Sequence, residues 1–246
     1  MVTRQTALKI RKTHRYLGVF IGIQFLMWTI SGLYFSWTDI DEIHGDQFRK
    51  ENVQQAVFKN LKSPSELGPE LVISSLELKE IANNPYYWIN QTTLIDARTG
   101  SVKEGLTQEE GLLVAEKYMI EGLEITGIEK INSTGNHHEY RSGSLPAYVI
   151  SYDTPGNVKA YVALKDGSFQ TLRHRDWRWF DFLWMTHTMD YEGRDNFNNL
   201  ILRGFSLLGL ITVFSGFLLW YTSSPSVRKI SKKIKKKQSH KSNIKA

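Results

Sequence analysis

The sequence predicts an α+β membrane protein in which two transmembrane helices flank an outer α+β domain. Three observations carry this. Residues 17–37 run 21 positions without a charge, and at a rise of about 1.5 Å per residue such a helix crosses a hydrocarbon core of about 30 Å. A second apolar stretch, residues 200–221, holds one charge, Arg203, near the end where a long side chain can snorkel to the interface. Between them lie helix and strand patterns punctuated by turn signals.

The first stretch is read as an uncleaved anchor. A signal peptide has an apolar region of about 7–15 residues before a small-residue cleavage site, whereas this run is longer and ends in Tyr34, Phe35 and Trp37. Charge then sets the orientation. Residues 1–15 hold five Lys/Arg and no acid, residues 224–246 hold nine and no acid, and the remaining 17 basic and 25 acidic residues leave the middle at −8. Basic flanks beside apolar spans stay in the cytoplasm. The expected layout is a cytoplasmic N-terminus (1–16), a span (17–37), a periplasmic domain (38–199), a second span (200–221) and a cytoplasmic polybasic tail (222–246), all in a bacterial inner membrane. Directly after a span, the tail meets anionic lipid head groups rather than nucleic acid. With no cysteine, disulfides, Cys-ligated iron–sulfur clusters and thiol catalysis by this chain are excluded.

Within the middle, residues 45–70 are polar and read as a connector. Residues 86–90 and 93–96 resemble short strands, with ARTGSV as a turn. Thr107 opens a helix, because Thr-Gln-Glu-Glu is a capping box with Glu110 at the third helical position; Gly122 is its expected stop. Residues 125–131 form a strand, and the loop NSTGNHHEYRSGS follows. Three alternating segments, LPAYVISY, VKAYVALK and SFQTLR, are separated by the hairpin signals DTPGN and DG. The helix should pack on this sheet and bury Val149 and Val162. An amphipathic helix at about 176–190 comes next. It would set Trp177, Phe180, Trp184, His187 and Tyr191 on one face at spacings of 3, 4, 3 and 4, against the outer leaflet.

Here the chain resembles a known family. LTQEEGLLVAEKY followed by AYVISYDTPGNVKAYVALKDGSFQTL is similar to a PepSY domain. KTHRYLGVFIG with TISGLYFSW, and WFDFLWMTHTMDY with the Gly-rich last span, resemble the membrane segments of PepSY-associated transmembrane proteins. Larger members are similar to ferric-siderophore reductases with b-type haem held by membrane histidines, while soluble PepSY domains are thought to inhibit peptidases or bind partners. The resemblance implies haem b as cofactor, a ferric siderophore as electron acceptor and a role in iron uptake, as a component of a ferric-chelate reductase.

Seven histidines are candidates. His14 and His187 match the histidine-bearing motifs and are the expected ligands of haem iron. Gly18 and Gly22, near His14 on a helix face, would leave room for a macrocycle. His14 sits at the inner face and His44, His174 and His187 at the outer one, so His14 and His187 cannot serve the same haem; an outer haem would pair His187 with His44 or His174. His137 and His138 lie in a polar loop, and His240 lies in the tail. Asp39, Asp41 and Glu42 beside His44 read as a solvated acidic helix end. No Ser-His-Asp arrangement, HExxH, P-loop, flavin or nicotinamide fingerprint occurs.

Two readings follow. In one, the chain is a haem-bearing electron-transfer subunit. In the other, it is a non-catalytic, membrane-anchored PepSY module that binds a partner through strand edges of residues 145–173. Two spans do not enclose a haem as four helices do, so a homodimer or a complex with other membrane subunits is expected, through the small residues Gly18, Gly22, Gly209 and Gly216.

Overall fold

The computed structural model describes residues 4–68 and 71–225; His240 and most of the polybasic tail fall outside this range. The chain divides into a helical unit, residues 1–34 with 184–246, and a central unit, residues 35–183.

In the helical unit, α1 spans Arg4–Trp37 and α5 spans Leu200–Ser223. The first helix is longer than the apolar run because RQTALKIRKTHRY is rich in helix formers and holds no breaker. The two helices contain apolar stretches, Leu8–Trp37 and Leu200–Tyr221, long and apolar enough to cross a membrane. They run antiparallel: Phe25 approaches Gly209, His14 approaches Gly216, and Arg11 donates to the Ser223 hydroxyl at 3.5 Å. Asn199 caps α5, accepting from the Leu202 N–H at 2.7 Å. The turn before it is held by Asp190, whose carboxylate accepts from the backbone N–H groups of Asn196 at 2.8 Å and Gly193 at 3.2 Å. Those bonds, Asn196 foremost, keep the Asp190 carboxyl below its ordinary value.

The central unit is α+β and holds two separate four-stranded antiparallel meanders. The first joins β1 (Leu76–Ile81), β2 (Asn84–Ile89), β3 (Thr93–Asp96) and β4 (Val102–Lys103) in sequence order. Only β2 and β3 were expected. The turn from β1 to β2 uses Ala82 and Asn83, both at positive φ, and contains no glycine to announce it. β1 itself exposes Leu76 and Leu78, so its alternation does not mark a buried face.

The second sheet joins β5 (Ile125–Ile131), β6 (Ala147–Tyr152), β7 (Lys159–Ala163) and β8 (Phe169–Arg173). The expected hairpins are present, with Asn157 and Gly167 in the left-handed region. Between the sheets in sequence, α3 (Gln108–Tyr118) starts at the expected capping box, with Glu110 N–H on the Thr107 hydroxyl and the Glu110 carboxylate on the Thr107 N–H. It ends four residues before Gly122. Lys50 donates to the Tyr118 carbonyl at 2.9 Å and Ile120 to the Phe48 carbonyl at 3.1 Å, and this distant backbone pairing pulls Met119 out of the helix.

α3 packs on the second sheet, where Val114, Ala115 and Met119 meet Ile150, Ala160, Val162 and Leu172. The contact is close: a Cβ on Gly111 would stand 2.7 Å from the Tyr148 ring. Val149 is buried too, but on the opposite face, with Tyr140, Ala147 and Tyr161. The pleat requires this, since Val149 pairs with Tyr161 and Val162 with Tyr148. The loop before β6 covers that second face.

The final helix of the central unit, α4 (Arg175–Thr188), continues into the helical unit. It corrects the expected aromatic wall. Trp177 lies under the Arg173 guanidinium at 4.0 Å and Phe180 against Phe35 at 4.9 Å, while Trp184 meets Phe197 at 5.4 Å. Protein neighbours, not open surface, take up this face. The exposed aromatic pair is instead Trp179 and Phe182, at 56% and 42%. Tyr191 lies beyond the helix end, because Met189 turns the chain at positive φ.

Candidate functional site

The chemistry-bearing groups of the helical unit sit at two places along α1. At the first, Ser31 is fully buried, and its hydroxyl lies 2.8 Å from the Met27 carbonyl and 3.1 Å from the Trp28 carbonyl. The His187 Nδ1 is 2.7 Å from the same hydroxyl. A helix leaves its last carbonyls without internal partners, and α1 satisfies two of those of α4. Gln24 Nε2 donates to the Thr186 carbonyl at 3.1 Å and Trp28 Nε1 to the His187 carbonyl at 2.8 Å. Asn199 donates to the Thr188 carbonyl at 3.0 Å. Gln24, Trp28 and Ser31 lie at i, i+4 and i+7, one face of α1. Burial lowers the His187 ring below the ordinary histidine value, favouring the neutral imidazole.

At the second place, His14 Nδ1 lies 2.7 Å from the Ser215 hydroxyl, which is itself 2.7 Å from the Thr212 carbonyl. The ring rests against Gly216, where a Cβ would stand 3.2 Å from His14 Cε1. The glycine that accommodates His14 is thus on α5. A Cβ on Gly18 or Gly22 would meet nothing within 4 Å, whereas at Gly209 and Gly216 it would meet Phe25 and His14 of the same chain. Of the expected association region, the Gly18/Gly22 part is open and the Gly209/Gly216 part is in contact with α1. His14 and Ser31 are 17 residues apart, so about 25 Å separates the two places along the helix.

The remaining histidines play other parts. His174 is 2% exposed, with Nε2 3.1 Å from the Ile43 carbonyl and its ring 5.5 Å from Phe48; it serves the core of the central unit rather than a ligand set. His44 is exposed at the end of α2 (Ile40–His44). The acidic residues near it include Asp39, which caps that helix by accepting from the Asp41 N–H at 2.9 Å. His138 accepts the Tyr140 N–H at 3.0 Å through Nδ1. Among the described residues, no group of three or more His, Asp or Glu could hold a metal ion.

The central unit concentrates its buried charge around Glu139, in the loop before β6. Its carboxylate accepts from Arg178 Nε at 2.6 Å and from the Tyr161 hydroxyl at 2.7 Å, and its carbonyl accepts from Arg173 Nε at 3.0 Å. Burial pushes the Glu139 carboxyl upward, but the Arg178 and Tyr161 hydrogen bonds, with the charge of Arg178, outweigh it and hold it below its ordinary value. Burial raises the Tyr161 hydroxyl, and the Glu139 carboxylate raises it further. Burial also lowers Arg173 to about 10 against the opposing pull of Glu139. Arg141 pairs with the buried Asp181 at 2.9 Å. These groups fasten the loop and α4 to the sheet.

The architecture is therefore two antiparallel membrane-type helices bearing two serine-held histidines, and an α+β unit with a capped helix on a four-stranded meander. The PepSY-associated TM region matches residues 2–223, nearly the whole chain. The chain belongs to the PepSY-associated transmembrane family. No curated protein and no solved structure matches it. As a member of this family it is a membrane protein. His14 and His187 each meet a serine through Nδ1. For a haem, His14 and His187 would each offer one imidazole, at separate places along the helix.

Sequence reasoning missed Gln24, Trp28, Ser31 and Ser215. The available signal was Gln24, an amide inside an apolar span, which requires a partner there.

Proposed function

We propose that this protein is an inner-membrane PepSY-family subunit that binds b-type haem and passes electrons outward to a ferric siderophore, in the service of iron uptake. The observation that carries the reading is the placement of His14 and His187. Each imidazole is held through Nδ1 by a helix serine, and they lie at separate places along α1. The haem would supply one-electron chemistry, and the chain's residues would bind and orient it. His187 would hold a haem on the outer side and His14 one on the inner side. A homodimer or another membrane subunit would complete each site. Both basic ends would face the cytoplasm and the central unit the periplasm, by the charge asymmetry of the two flanks.

The test is spectroscopic. Membranes carrying the protein, made with ample haem supply, should show a Soret band and a dithionite-reducible b-type spectrum. His187→Ala should remove the outer haem and His14→Ala the inner one. Absence of Soret absorbance overturns the reading. A periplasm-dependent reporter fused near Gly135 should be active, and activity from a fusion after Ser239 would refute the topology.

A second reading rests on β5. Among the described residues this strand pairs only with β6, and it is largely exposed, so it could accept a partner's strand by β-addition. A colourless protein that captures an extended peptide through this edge would be an anchored binding module.

A further inference from the structure

We propose that Ser31 and Ser215 are positioning residues that hold His187 and His14 as Nδ1–H tautomers, so that Nε2 of each ring is the ligating atom. The direction of each bond follows from where single protons can go. A serine hydroxyl carries one proton, a carbonyl oxygen only accepts, and a neutral imidazole has one N–H. The Ser215 oxygen is 2.7 Å from the Thr212 carbonyl oxygen and 2.7 Å from His14 Nδ1. Were the hydroxyl to donate to the ring, two oxygen lone pairs would face each other at 2.7 Å with no proton between them. The hydroxyl therefore donates to Thr212, and His14 Nδ1–H donates to the hydroxyl. The same holds for Ser31, whose oxygen is 2.8 Å from the Met27 carbonyl and 2.7 Å from His187 Nδ1. In each ring the lone pair is then on Nε2.

The same device appears at two places fixed by unrelated contacts. One serine belongs to α1 and holds a histidine of α4; the other belongs to α5 and holds a histidine of α1. Back-bonding of a helix serine to its own preceding turn is local, so each hydroxyl is oriented before the histidine arrives. The direction of donation also rules out a serine nucleophile here, because neither imidazole is placed to take the hydroxyl proton. A neutral hydroxyl fits an apolar setting better than a carboxylate partner would, since it carries no ionic desolvation cost. Donation from Nδ1–H raises the basicity of the opposite nitrogen.

The ligating role rests on the haem reading; the tautomers do not. The full chain, haem-free and ¹⁵N-labelled at histidine, is reconstituted in lipid nanodiscs above the ordinary histidine titration range. Its imidazole nitrogens are then read by NMR. His14 and His187, assigned by His→Gln variants, should both be protonated at Nδ1. Ser31→Ala should shift His187 toward the Nε2–H form and leave His14 unchanged; Ser215→Ala should do the reverse. Ser31→Thr, which keeps the hydroxyl, should restore His187. Nε2–H forms in the wild type, or tautomers indifferent to both Ser→Ala changes, overturn the proposal. With haem added, each Ser→Ala should weaken binding about 10–100-fold. Correct tautomers in a protein that binds no haem would overturn the haem reading instead and leave the serine–histidine assignment standing.

Discussion

The two units solve burial in opposite ways. In the central unit the interior is apolar: Ile81, Ile150, Val158, Val162 and Leu172 are wholly buried, and buried charge such as that of Glu139 is paired, here with Arg178. In the helical unit, large apolar side chains such as Ile23, Leu210 and Phe217 face outward, while Gln24, Ser31, Thr186, Thr188 and Asp190 are buried. The solvent each unit meets explains the inversion. In water, apolar surface is driven inward. Against lipid there is no such drive, and what must be hidden is any polar group without a partner. The helical unit accordingly spends its interior on hydrogen bonds.

The largest effect is expected in the central unit. Val162→Asp places a charge in the layer beneath α3, with no partner, and should cost about 3–5 kcal/mol; protease resistance of the central unit should be lost. Unchanged resistance would mean that the apolar interior is misread. Glu139→Gln comes next, at about 1.5–3 kcal/mol, because Arg178 loses its charged acceptor. The wild-type contribution has a sign with pH. The folded Glu139 carboxyl lies below its unfolded value, so this stability is fully present above the ordinary glutamate range and is lost as pH falls through the folded value. Acid unfolding followed by fluorescence should show that loss in the wild type and not in the Gln variant.

The helical unit offers the complementary tests. Gln24→Leu enlarges apolar surface, yet it leaves the Thr186 carbonyl without its donor and should cost about 1–3 kcal/mol, read as lowered thermal stability in nanodiscs. A gain in stability would contradict the account of a polar interior. The smallest effect is expected for Leu210→Ala. In a water-soluble core a Leu→Ala change costs about 2–5 kcal/mol, but Leu210 faces outward, and the change should fall below about 1 kcal/mol by the same assay.

How much of this was legible depended on whether the signal was local. The two apolar stretches, the capping box at Thr107 and Glu110, and the hairpin signals DTPGN and DG are read from neighbouring residues, and the structure carries them as expected. β1 and β4 escaped because their strands are short or exposed and the Ala82–Asn83 turn contains no glycine or proline. The end of α3 escaped because a backbone pairing from residues 48–50 decides it. At the candidate site, the histidines stood out by type and position, whereas Ser31 and Ser215 could not be distinguished from ordinary small residues of an apolar helix.

The sequence by itself determined the fold class, the two membrane-type helices and the charge asymmetry of their flanks, because hydrophobic length, capping and turn chemistry act over a few residues. Only the tertiary structure decided that Val149 and Val162 face opposite layers, that His174 serves the core, that Gly216 accommodates His14, and that a serine hydroxyl stands 2.7 Å from Nδ1 of His14 and of His187. Each of these depends on which distant backbone carbonyl, ring or hydroxyl lies within about 3–4 Å, and that proximity is created by folding.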